Sequence, residues 1–164
     1  MASNKAAANM ALGGVLAAVA VALTCLGGLI PLSTFVCPML CMLILTIVRK
    51  RCGDSTAWAW YGAVAILGLL LSPDKEAAAV FVFLGYYPIV KPKLDRLPLR
   101  WLWKALLFNV AILLMYWLLM HVFGMVQLLQ EFAELGKVMT LVTLLLGNVT
   151  FFLLDRLLSI RFRA

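Results

Sequence analysis

The sequence predicts an all-α integral membrane protein, a bundle of six transmembrane helices with both termini in the cytoplasm. Three observations carry that expectation. Of the 164 residues 65% are hydrophobic and only 13% are charged, far from the balance of a soluble globular domain. Charge, Pro and Gly cut the chain into six apolar segments, about 9–30, 32–48, 57–71, 77–90, 104–123 and 137–154. No linker between them is long enough to separate two domains, so 1–164 reads as one polytopic domain. The basic residues then distribute unevenly between alternate sides. With the N-terminus inside, the inner set is Lys5, Arg49, Lys50, Arg51, Lys91, Lys93, Arg96, Arg100, Lys104, Arg156, Arg161 and Arg163, twelve of the fourteen. Only Lys75 and Lys137 fall outside, beside Asp74, Glu76, Glu131 and Glu134. Cytoplasmic loops collect Lys and Arg, so the formal net charge of +7 is a signal of topology and implies no nucleic-acid partner. Trp58, Trp60, Tyr61, Tyr86, Tyr87, Trp101 and Trp103 agree, since all fall near predicted inner boundaries, where amphipathic rings settle.

The first span carries Ala7, Ala11, Gly14, Ala18 and Ala22 three or four residues apart. Such a small-residue stripe lets another helix approach closely, within the chain or from a partner. Lys5 before an Ala-rich run imitates a signal peptide, but the apolar stretch continues past Gly27 and Gly28, so the segment reads as a retained span. "LGGLIP" at 26–31 is an outer turn between the first two spans. Cys25, Cys37, Cys41 and Cys52 lack CxxC spacing and a nearby histidine, which argues against zinc and disulfides.

The third span, "AWAWYGAVAILGLLL", meets the fourth at the charged triplet Asp74, Lys75 and Glu76. From there to the basic "KPK" at 91–93 the chain runs only about fourteen uncharged residues. As a helix these rise about 21 Å against a hydrocarbon core of about 30 Å. Bilayer thinning, snorkelling lysines, or a depression opening to the outside would each relieve the mismatch.

In the fifth span His121 lies near the outer end, at a depth similar to the 74–76 triplet, Lys137 and Thr140, and an ionisable residue there is a functional candidate. Residues 124–136 alternate apolar side chains with Gln127, Glu131 and Glu134, the pattern of an amphipathic segment lying across the outer surface, as a lid or a plain connector. Asn109 and Asn148 fall in the inner halves of the fifth and sixth spans, at depths where they can hydrogen-bond to each other. An enzyme is not expected. There is no intramembrane carboxylate pair, HExxH, nucleophile motif or phosphate-cradling Gly loop, and no metal or cofactor is implied.

The six-span pattern with both termini inside, the N-terminal "MALGGVLAAVAVAL", the outer turn "GGLIPLS" and the basic inner loop after the fourth span together resemble the substrate-binding S components of energy-coupling factor transporters. The resemblance covers most of the chain in outline and the first span in motif. It implies a bacterial inner-membrane subunit, embedded in membrane lipid, that captures a vitamin or other small micronutrient at the outer face. Its partners would be a coupling transmembrane subunit and two cytoplasmic ATPases. Ala11, Gly14, Ala18 and Ala22 would then form the docking face. The loops near Pro31–Thr34, Asp74–Glu76 and Gln127–Glu134 would surround the ligand, with Asp74, Lys75, Glu76, His121, Gln127, Glu131, Lys137 and Thr140 as binding residues. A membrane scaffold similar to the small rod-shape-determining proteins of cell-wall machinery shares the size and span count and is the alternative. For that class, polar groups would not converge on a hydrated outer cavity.

Overall fold

The computed structural model describes the backbone of residues 2–26, 33–122, 124 and 126–163, and side-chain surroundings over 7–26, 34–122, 124, 136, 141–142 and 144–160. Every element is helical: α1 (Ala2–Leu26), α2 (Ser33–Cys52), α3 (Asp54–Leu71), α4 (Lys75–Leu84), α5 (Tyr87–Leu94), α6 (Arg100–His121) and α7 (Val126–Arg163). Among the described residues, four helical stretches are long and apolar enough to cross a membrane: Ala7–Leu26, Asp54–Leu71, Lys75–Leu94 and Arg100–His121.

The chain divides into two compact units, Met1–Arg96 and Leu97–Ala164. In the first, α2 is the central helix and packs against α1, α3, α4 and α5. Its Cys41, Leu45 and Val48 are fully buried, and they share a core with Ala20, Ala57, Trp60, Val64, Phe81 and Ile89. Gly53, at φ 87°, turns the chain from α2 directly into α3, a backbone conformation that glycine adopts without steric cost. Arg49 spans that turn, donating to both carboxylate oxygens of Asp54 at 2.6 and 3.2 Å and to the Pro88 carbonyl at 2.9 Å. Asn9 of α1 reaches the Arg51 carbonyl at the same end, at 3.1 Å. At the opposite end, the Ser72 hydroxyl donates to the Thr24 carbonyl at 3.0 Å. α1, α2, α3 and the α4–α5 stretch therefore alternate in direction, and Arg49–Arg51 and Lys91–Lys93 lie at one end while Asp74–Glu76 lie at the other.

The fourth span differs from the sequence expectation. The helical stretch runs from Lys75 to Leu94, twenty residues, about 30 Å at 1.5 Å per residue. The lysines that had marked its ends belong to it. Lys75 Nζ folds back to the Leu69 carbonyl at 2.9 Å, and Lys91, only 2% exposed, sits 3.6 Å from Asp95. The length mismatch therefore disappears, and with it the reason for an outer depression at this helix. A tight turn at Gly85–Tyr86 marks the α4–α5 boundary, where Pro88 cannot donate to the preceding turn and Ile89 N–H instead bonds the Tyr86 carbonyl at 2.9 Å. A Cβ on Gly85 would lie 2.9 Å from the Phe81 ring, so the turn needs glycine.

In the second unit α6 and α7 pair antiparallel. Lys104 Nζ donates to both oxygens of Asp155 at 3.1 and 2.9 Å. Asn109 and Asn148 exchange reciprocal amide hydrogen bonds at 3.0 and 3.1 Å. Phe108 stacks on Phe151 with centroids 4.8 Å apart, and Trp101 on Phe152 at 5.3 Å. The helix is broken at Gly136, whose φ of 68° and ψ of 167° are non-helical, where the amphipathic segment read from the sequence ends.

Candidate functional site

Two surfaces of the first unit carry the residues that the sequence marks as candidates: the end that carries Asp74, and the outward face of α1. At the Asp74 end the chain leaves α3 through Ser72 and Pro73 and re-enters a helix at Lys75. Asp74 is the N-cap of α4, with one carboxylate oxygen accepting from Ala77 N–H at 3.0 Å. Its other oxygen accepts from the Thr34 hydroxyl at 2.9 Å, which ties the start of α2 to the start of α4. The Ser72 hydroxyl, whose single proton is shared between the Thr24 and Asp74 carbonyls, also lies 3.0 Å from the latter. The polar side chains of this end thus converge on one another and on helix termini. Among the described residues, no buried side-chain nitrogen or oxygen lacks a hydrogen-bond partner.

The sequence-predicted ligand residues are distributed as follows. Asp74, Lys75 and Glu76 stand together at this end and are half-buried, with Asp74 and Lys75 engaged in the local bonds described. Thr34 from the resemblance-derived loop joins them. His121 belongs to the second unit, where its Nδ1 lies 3.0 Å from the Trp117 carbonyl one turn earlier and its ring stacks on Trp117 with centroids 5.1 Å apart. The side chains of Gln127, Glu131, Lys137 and Thr140, and the lid role assigned to their segment, lie outside the described residues, as does the outer turn at 27–32. Sequence reasoning missed Thr24 and Ser72. The signal was available, because a Ser-Pro-Asp string entering an apolar run marks a helix start, but the charge beside it was read as a loop.

The α1 face is laid out by helical spacing. Gly13, Ala20 and Thr24 point inward and are buried; the Trp60 indole N–H donates to the Gly13 carbonyl at 3.0 Å, and the Cys41 thiol bonds to the Ala20 carbonyl at 3.4 Å. Ala7, Ala11, Gly14, Ala18 and Ala22 occupy the other side and are all exposed. A Cβ on Gly14 would meet nothing within 4 Å. Among the described residues of the first unit, none covers the small-residue stripe.

Among the described residues, no three His, Cys, Asp or Glu side chains are arranged to hold a metal ion. Comparison of the chain with protein-family models, curated proteins and solved structures gives no match.

Proposed function

We propose that this chain is the solute-capture subunit of an energy-coupling factor type importer. It would cross a bacterial inner membrane six times with both termini cytoplasmic, bind a vitamin or similar micronutrient from outside, and rely on a coupling subunit and two ATPases for energy. The observation that carries this reading is the open face of α1. Between lipid tails no hydrophobic gain drives two helices together, and close contact requires small side chains. Ala11, Gly14, Ala18 and Ala22 supply such a face, and no helix of the first unit uses it. The segregation of Arg49–Arg51 and Lys91–Lys93 to one end of that unit supports the orientation, since that end would be cytoplasmic.

The test is co-purification from the native membrane in a mild detergent. Gly14→Leu or Ala18→Leu is expected to remove a stoichiometric membrane partner at least tenfold while the isolated protein keeps its helical content and elution volume. Unchanged co-purification would sink the docking face.

One observation favours the scaffold reading, a cell-wall or cell-shape protein without transport activity. Both oxygens of Asp74 are spent on Ala77 and Thr34, so the Asp74 end is knit to itself. Under that reading the same α1 stripe holds a permanent partner, and the protein retained by wild type but lost from Gly14→Leu belongs to wall synthesis.

A further inference from the structure

At the basic end of the first unit three aromatic rings meet. Trp58 and Tyr86 lie 15° from parallel with centroids 6.4 Å apart. Tyr61 stands at 80° to Trp58 and 72° to Tyr86, with centroids 5.9 and 6.1 Å away. The group is held from behind. The Tyr61 hydroxyl donates to the Val82 carbonyl, and its ring rests on Phe81, which is 1% exposed, with centroids 5.8 Å apart. It is open in front, where Trp58 is 47% exposed and Tyr61 and Tyr86 are half-buried. Interfacial Trp and Tyr commonly sit singly in a membrane belt. Here all three centroids lie within 6.4 Å of one another, so a point about 4 Å above the triangle lies within roughly 6 Å of all three ring centroids, the reach of a cation–π contact.

The surroundings restrict which cation. One turn before Trp58 is Asp54, clasped by Arg49, and Lys93, exposed on α5, is close enough to act on Asp54 electrostatically. This end carries Arg49, Lys50, Arg51, Lys91 and Lys93 against Asp54 and Asp95. A bare cation would be repelled by that excess, and an anion alone would leave the rings unused. A ligand bearing both signs satisfies both parts. We infer that Trp58, Tyr61 and Tyr86 form a site for the quaternary ammonium of a zwitterionic phospholipid headgroup, whose phosphate is met by Lys93. This site is separate from the Asp74 end and from the α1 face, and holds under either reading of the protein's function.

The test is thermal unfolding of the protein in maltoside detergent, titrated with dihexanoyl phosphatidylcholine, dihexanoyl phosphatidylglycerol or tetramethylammonium chloride. Phosphatidylcholine is expected to raise the midpoint saturably, and the other two are not. Trp58→Leu and Tyr86→Leu should each move the titration to about fivefold to tenfold higher lipid, between the scales of an exposed and a desolvated cation–π contact. Lys93→Gln should shift it in the same direction, while Trp101→Leu, in the second unit, should leave it in place. Trp58→Phe keeps a ring and retains most of the response, which guards against a folding defect in the leucine variants. Equal responses to both lipids, an unshifted titration in Trp58→Leu, or a matching response to tetramethylammonium would each overturn the assignment.

Discussion

Both carboxylate oxygens of Asp74 have partners on other parts of the chain, the Ala77 amide and the Thr34 hydroxyl, and this decides how its loss should read out. Asp74→Ala is expected to destabilise the purified protein by about 1–2 kcal/mol, the usual cost of an N-cap, seen as a lower unfolding midpoint. A variant that loses ligand binding at full stability would instead restore Asp74 to a binding role. Lys104 and Asp155 present a harsher case, because the side chains are only 6% and 15% exposed. Lys104→Met should cost about 3–5 kcal/mol by removing the ammonium that donates to both Asp155 oxygens, whereas Lys104→Met with Asp155→Leu should recover most of it. A double variant no more stable than the single one would show that the ion pair itself holds α6 to α7. The Asn109–Asn148 pair was legible in the sequence, since two amides at matching depth in successive spans have few other partners. Lys104–Asp155 was not, because Lys104 lies next to Arg100 and Arg96 and reads as one more basic loop residue. Charge identity alone does not say which lysine turns inward.

For single helices, spacing tells which residues share a face but not which face the chain covers. The small-residue stripe of α1 could be recognised from its repeat; that Ala20 and Thr24 are buried and Ala18 and Ala22 exposed follows only from where α2 and α3 pack. The length of the fourth span was misjudged for a related reason. A lysine does not by itself end a helix: Lys75 and Lys91 have long stems whose ammonium groups find a backbone carbonyl and a carboxylate within the fold. The start of α6 holds a different feature. Leu99 is left-handed at φ 56° and ψ 38°, and with 74% exposure its side chain contributes little packing in return. Leu99→Val is expected to be less stable than Leu99→Gly by about 1–2 kcal/mol, measured as the separation of their unfolding midpoints. Equal midpoints would mean that the bend relaxes in solution.

At the scale of the whole molecule, composition and charge pattern were enough to indicate a helical membrane protein, because hydrocarbon permits only backbone that satisfies its own hydrogen bonds. The division at Arg96–Leu97 was not foreseen. It falls in the five-residue connection 95–99 between α5 and α6, too short to register as a linker. The ligand end was the least legible part, since a charged triplet looks the same in a sequence whether it awaits a solute or caps a helix. Capture and scaffold readings share the α1 face and part company over cargo. The measurement that separates them is native mass spectrometry of the protein released from its own membrane in a mild detergent. A stoichiometric water-soluble metabolite, together with a coupling subunit and its ATPases, is the expected result. Cell-wall synthesis proteins, or lipid with no metabolite at all, would contradict the capture reading.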